Sequence, residues 1–331
     1  RNPNTMKKIF VKEERLCSCL SAPVSNWEQL KNALNYDQEP GHALPFPALS
    51  NALQMWNQYA NYYKLDRSEF FTCILPRIQA WALQFEYNTP IQLLYSLNAA
   101  TVAAPTTAEM CSSSVSLSRR QIRFLQSAAF FLCTCPVDHQ TESTDGVGGG
   151  GRSKFGNLDW SLLYSYGSAC GVHRILFQIA YFYCLTREEQ DEEQGEKEGR
   201  YEQEAAEKKA GKEEENTERD STESNEEMVV FSRHLYLPPS SCSSSHSHSC
   251  SSSSSSSLCT HSWENSTVRF ATDAVRVHTG TMDTSEASWL VDFAHKDLHT
   301  HKLVPSLSQE ELLFSTCPDA LPGMLFCDSL G

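Results

Sequence analysis

The sequence predicts an α plus α/β protein, helical in its first half and strand-bearing in its second. Three observations predict this. Apolar residues recur at helical spacing in two segments before residue 135, the hydrophobic period shortens to two from Met228 onward, and low-complexity tracts separate and interrupt the folded parts. A chain of 331 residues has room for one large domain or two modest ones.

The first clear helix is expected from Ser68 to Phe85, with Phe70, Phe71, Ile74, Leu75, Ile78, Ala82 and Phe85 on one face. Asp66 and Glu69 read as a capping box at its start. Pro76, which has no backbone N–H, is expected to kink it midway. A second helix starts at Ser118. Gln121 completes a capping box, Leu117 and Ile122 are placed to form a hydrophobic staple, and Ile122, Leu125, Ala129 and Leu132 form the core face. Leu162 to Leu185 is the longest apolar stretch. His173, Arg174 and Gln178 interrupt it, so a buried helix is expected there and not a membrane span. From Met228 the segments MVVFSRHLYL and STVRFATDAVRV alternate apolar with polar residues, as half-buried strands do, and SWLVDFA supplies a last strand.

The net charge of −14 is local. Between Glu188 and Glu227 stand 18 acids against 6 bases, which leaves about −2 for the rest of the chain. That run has no apolar periodicity, so 187–227 is expected to be a disordered acidic insertion. Ser240 to Ser257 is nearly all serine, and Thr141 to Gly151 is a Gly-rich loop without the Lys-Ser/Thr of a phosphate loop. The expected organisation is a helical domain over 17–186 carrying the Gly-rich loop 141–151, the insertion 187–227, and an α/β domain over 228–331 interrupted by the Ser-rich tract 240–257.

Thirteen cysteines form no metal-type CxxC pair, since Cys17/Cys19 and Cys133/Cys135 are spaced by one residue. No secretory leader opens the sequence, so reduced thiols in a nuclear or cytosolic protein are expected. His295, His299 and His301, with His278 or Cys317, lack a further ligand placed with them. No metal, no cofactor, no membrane and no direct DNA binding are expected. The sequence begins with Arg1 and not Met, so a fragment or a processed chain is expected.

Near the C-terminus, Val291-Asp292-Phe293-Ala294 reads as an apolar strand carrying one inward acid, and Gln309-Glu310-Glu311 sets two adjacent carboxylates before a new apolar run. Their spacing resembles the signature of the poly(ADP-ribose) glycohydrolase family, in which a VDFAN-type strand leads into three glycines and then Gln-Glu-Glu. FFTCILPRIQAWAL followed by TPIQLL is similar to that family's LP-containing helix and PIPLL. VSLSRRQIRFLQSAAFFLCTCP is similar to its SxxQ…AFFCTFP helix. MVVFSRHLY and the STVRF…GTMD segments stand where the family has its first macrodomain strands. The resemblance covers most of residues 60–137 and 263–321.

That resemblance implies a helical accessory domain followed by a partial, macrodomain-like α/β domain, and hydrolysis of ribose–ribose O-glycosidic bonds in poly(ADP-ribose) or on ADP-ribosylated proteins. Within it, Glu311 is the acid/base, Glu310 holds ribose hydroxyls, Gln309 positions the substrate and Asp292 supports them. For Glu311 to donate a proton near neutral pH its pKa must be raised, as a bound polyanion and partial burial would do. His295 stands where the family has a substrate-contacting Asn. His299, Thr300 and His301 stand at the three glycines. Glycine lets a backbone approach a diphosphate closely and present its N–H groups, whereas these residues put β-carbons into that space. Substitutions of this kind are expected to slow hydrolysis by about a thousandfold or more.

Only 20 residues follow Glu311, and the family's later strands, second phosphate-binding loop and adenine-stacking aromatic are not found. An incomplete or divergent, C-terminally truncated member is therefore expected. Two alternatives stay open. Ser308-Gln309-Glu310-Glu311 also reads as an S-x-x-E capping box opening a helix through Leu312, Leu313 and Phe314. The chain as a whole also reads as a catalytically degenerate module that binds ADP-ribose polymer or a protein partner.

Overall fold

A computed structural model describes residues 7–39, 42–94, 112–134, 158, 160–165, 167–210, 227–234 and 309–327. The short strand β1 (Lys7–Lys8) pairs antiparallel with β2 (Ile91–Gln92). Helix α1 (Glu13–Cys19) carries two acids in its first turn, where the helix dipole favours them, and buries Leu16 and Cys19. In α2 (Trp27–Leu34) the Asn26 side chain caps the start by accepting from the Gln29 N–H at 3.0 Å.

The next helix, α3 (Pro47–Tyr63), has Pro in its first turn, where the missing N–H leaves no intrahelical bond unmade. Ala48, Leu49, Ala52, Leu53, Trp56 and Ala60 form its buried stripe, and the Trp56 indole donates to the Ser68 carbonyl at 2.7 Å. The chain then turns through Lys64 (φ 52°).

The expected helix from Ser68 to Phe85 is built differently. Phe70–Ile74 form a single π-helical turn, α4 (Leu75–Ala82) follows with Pro76 in its first turn, and a 3-10 turn at Phe85–Tyr87 ends the segment. Pro76 cannot donate back to residue 72, and its ring crowds that carbonyl, so the turn before it is widened. Glu69 flanks the π turn without a side-chain cap and accepts instead from the Cys73 thiol, so the Asp66/Glu69 capping box is not formed. The core face is as expected: Phe70, Ile74, Leu75, Ile78 and Ala82 are buried, with Phe71 and Phe85 packed at its margin.

Helix α5 (Arg119–Phe130) has the expected capping box. The Gln121 N–H donates to the Ser118 hydroxyl at 3.2 Å, and the Ser118 N–H donates to the Gln121 amide oxygen at 2.9 Å. Ile122, Leu125 and Ala129 are buried. Leu132 is buried too, but from a left-handed residue (φ 56°) beyond the helix end. Before α5 runs a strand that the sequence did not predict, β3 (Ser112–Ser118). It pairs antiparallel with β4 (Met228–His234) in a register that sets Val115 against Phe231 and Leu117 against Val229. These four residues face the core, while Met228 and Val230 are exposed, so β4 has the expected alternation.

The expected helix over 162–185 is two helices, α6 (Ser161–Ser165) and α7 (Ala169–Ala210). The Ser168 hydroxyl accepts from the Gly171 N–H at 3.2 Å and so caps the start of α7. Val172, Ile175, Ile179, Phe182 and Leu185 form the buried stripe of α7, which packs on α3. No helix among the described residues is long and apolar enough to cross a membrane.

The acidic stretch is not set apart from the fold at residue 187, because α7 continues through it to Ala210. Glu189 accepts from the Trp81 indole at 3.2 Å and from Arg77 at 3.2 Å, Glu193 accepts from Arg77 at 3.1 Å, and Arg67 donates to Gln190 at 3.0 Å. The acids find their cations on segments far away in sequence, which a local reading of charge does not register. Residues 211–226, the Gly-rich loop 141–151, the Ser-rich tract 240–257 and the strands expected in STVRFATDAVRV and SWLVDFA lie outside the described residues.

Candidate functional site

The Gln309-Glu310-Glu311 motif opens helix α8 (Gln309–Thr316). Its three residues occupy the first turn, where unpaired backbone N–H groups and the helix dipole favour carboxylate anions. In the rest of α8, Phe314 and Ser315 are buried, Leu312 and Thr316 are exposed, and the helix packs on α7. The side chains of Gln309, Glu310 and Glu311 lie outside the described residues, as do Asp292, His295, His299, Thr300 and His301 altogether. Of the expected site, the structure therefore gives the backbone position of Gln309, Glu310 and Glu311.

What fixes that position is the segment after α8. A 3-10 turn at Pro318–Ala320 leads into a short helix, α9 (Gly323–Phe326), which buries Met324, Leu325 and Phe326 in the same core as the helices. The Leu94 N–H donates to the Phe326 carbonyl at 2.7 Å, and Leu94 and Cys327 form a parallel bridge. Gly323 sits under β4. A β-carbon there would stand 3.1 Å from the Phe231 ring, and that ring meets Phe326 edge to face at 5.0 Å between centroids. Thus β4 and residues 309–327, which the sequence groups with a second domain, share the core of the helical part.

Two polar links hold the same segment. The Gln126 amide donates to the Pro318 carbonyl at 2.8 Å, and the Tyr181 hydroxyl donates to the Asp319 carboxylate. Burial, reinforced by the charge of Asp319, pushes the Tyr181 hydroxyl far up from its ordinary pKa and keeps it a donor. Gln126, Tyr181 and Asp319 were missed in the sequence. The signal was slight: a Gln on the core face of a capped helix, and a Pro-Asp step shortly after the paired glutamates.

Residues 62–197 match the family model of the poly(ADP-ribose) glycohydrolase helical domain. The matched stretch runs from the last turn of α3 through α4, α5 and α6 and well into α7, across the boundary expected at residue 187. No curated protein matches the chain. Residues 62–197 thus resemble the helical domain of the poly(ADP-ribose) glycohydrolases, which supports a relationship to that family.

Proposed function

We propose that this chain acts on poly(ADP-ribose) and that its inherited chemistry is hydrolysis of the ribose–ribose O-glycosidic bond. One observation carries the proposal: a helix beginning Gln309-Glu310-Glu311 is docked on a domain matching the helical domain of the glycohydrolases. In this reading the Glu311 carboxyl gives its proton to the leaving ribose oxygen as the glycosidic bond breaks. It then takes a proton from the water that attacks the oxocarbenium-like carbon. Glu310 holds ribose hydroxyls, Gln309 and Asp292 position the substrate, and the dipole of α8 opposes protonation of Glu311 until a bound polyanion offsets it.

Turnover is slow in this proposal, because His295, His299, Thr300 and His301 replace the Asn and the glycines that receive the diphosphate. The same four residues favour a second reading, a polymer-binding module that no longer hydrolyses. We place either protein in the nucleus or cytosol, where its many thiols stay reduced.

The test is release of ADP-ribose from labelled poly(ADP-ribose) by the purified chain beside its Glu311→Gln variant. Slow release that disappears in the variant supports hydrolysis. No release from either, with polymer retained on a filter, supports the binding module. Neither release nor retention overturns both readings.

A further inference from the structure

Cys19 and Cys133 stand 114 positions apart in the chain, yet their sulfurs are 4.0 Å apart in the core. Both side chains are buried, at 7% and 0% exposure. Their closeness is built into the backbone on both sides. The Lys12 N–H donates to the Cys133 carbonyl at 3.1 Å, and Val11 forms an antiparallel bridge with Thr134. The two stretches of chain that carry the thiols are therefore fastened together at Cys133 and its neighbour on one side, and about two helical turns before Cys19 on the other.

A disulfide requires sulfurs about 2.05 Å apart, so closure needs about 2 Å of relative movement. Rotation about the two Cα–Cβ bonds with a small backbone shift supplies movement on that scale.

The two thiols are also unequal. Arg15 lies one helical turn before Cys19, on the same face of α1, and its Nε–H is buried without a hydrogen-bond partner. The single S–H of Cys133 is shared between the Phe131 carbonyl at 3.2 Å and the Cys19 sulfur at 4.0 Å. The hydrogen bond from Cys133, aided by the Arg15 guanidinium against burial, holds the Cys19 thiol below the usual cysteine range. The same pairing with Cys19, together with burial, pushes Cys133 upward. Asp37, which pairs with Arg15 at 3.1 Å, is the acid facing the pair and weakens this effect in part.

We propose that Cys19 and Cys133 are a redox pair that closes to a disulfide under peroxide and reopens with a dithiol reductant, clasping α1 to the end of α5. In the first step the Cys19 thiolate attacks one oxygen of hydrogen peroxide. The O–O bond breaks, the sulfur becomes a sulfenic acid, and the departing hydroxide takes a proton to become water. In the second step the Cys133 sulfur, giving up its proton, attacks the sulfenic sulfur. The S–S bond forms, the S–O bond breaks, and a second water leaves. Two electrons pass from the two thiols to the peroxide. The clasp rests on the geometry of the helical part alone and stands whether or not the chain hydrolyses polymer.

The experiment is peroxide titration of the folded chain, blocking of remaining thiols, and peptide mapping under non-reducing conditions. A Cys19–Cys133 linked peptide that disappears on adding dithiothreitol is the expected product. The oxidised chain is expected to melt about 5 °C or more above the reduced one. Arg15→Gln is expected to slow formation of the link about tenfold, while circular dichroism of the reduced protein stays unchanged. The proposal is overturned if both thiols remain blockable while exposed Cys17 is oxidised. It is equally overturned if either thiol links to another cysteine or proceeds to a sulfinic acid instead.

Discussion

The two halves of α7 are held to the protein by different forces. From Val172 to Leu185 an apolar stripe is buried against α3, α4 and α5, with Phe182 packed on Trp81 and edge-on to Phe130. From Glu189 onward the same helix is held by carboxylates that meet Arg77, Arg123 and the Trp81 indole. Area removed from water scales with the buried stripe and is insensitive to salt. Ion pairs at a protein surface are individually weak and are screened. The first half should therefore carry most of the stability, and the second should set how far the helix stays seated.

Phe182→Ala breaks the comparison most severely. It removes a fully buried ring between two others and is expected to destabilise by about 3–5 kcal/mol in urea melts. A loss near that of an exposed substitution would mean that the apolar stripe does not hold α7.

Tyr181→Phe sharpens it, because this residue is a polar link within the apolar half. Losing the donor to the part-buried Asp319 is expected to cost about 2 kcal/mol. It should also alter alkaline behaviour. The folded tyrosine is harder to ionise than the unfolded one, so its contribution is complete below about pH 10 and falls as pH rises above that. The wild-type midpoint should accordingly drop more steeply than the variant's in that range.

The smallest effects belong to the acidic half, where Glu189→Gln and Glu193→Gln are best read as a pair. Glu189 is mostly buried and serves three partners, so its loss is expected to cost about 1 kcal/mol. Glu193 is half exposed, and its loss should stay below about 0.5 kcal/mol and vanish in 1 M salt. Equal losses for the two would remove the distinction between a seated and a solvated carboxylate.

The contrast within α7 also explains what the sequence made legible. Signals contained in a few neighbouring residues were readable: the Ser118–Gln121 cap, the Phe70–Ile74–Ile78 face, and the alternation that turns Val229 and Phe231 inward. Features that depend on distant partners were not. β3 shows only Val115 and Leu117 among serines, and its strand partner lies far along the chain. Glu189 looks solvated until Arg77 and Trp81 are brought to it by folding. At the candidate site the helix start at Gln309 was legible from its local pattern. The docking of Leu321 to Phe326 was not, because so short an apolar run carries no usable period.

The anchorage of α8 has a consequence for any chemistry at its first turn. The helix packs on α7 and is clamped at its far end by Phe326 against Leu94 and by Pro318 and Asp319 against Gln126 and Tyr181, with the glutamates in the turn farthest from that clamp. Over a lever of eight residues a small tilt at the clamp becomes a larger displacement at the tip, while reacting groups tolerate about 0.5 Å. Residues of the helical domain that never approach a substrate would then govern the aim of Glu310 and Glu311 from the opposite end.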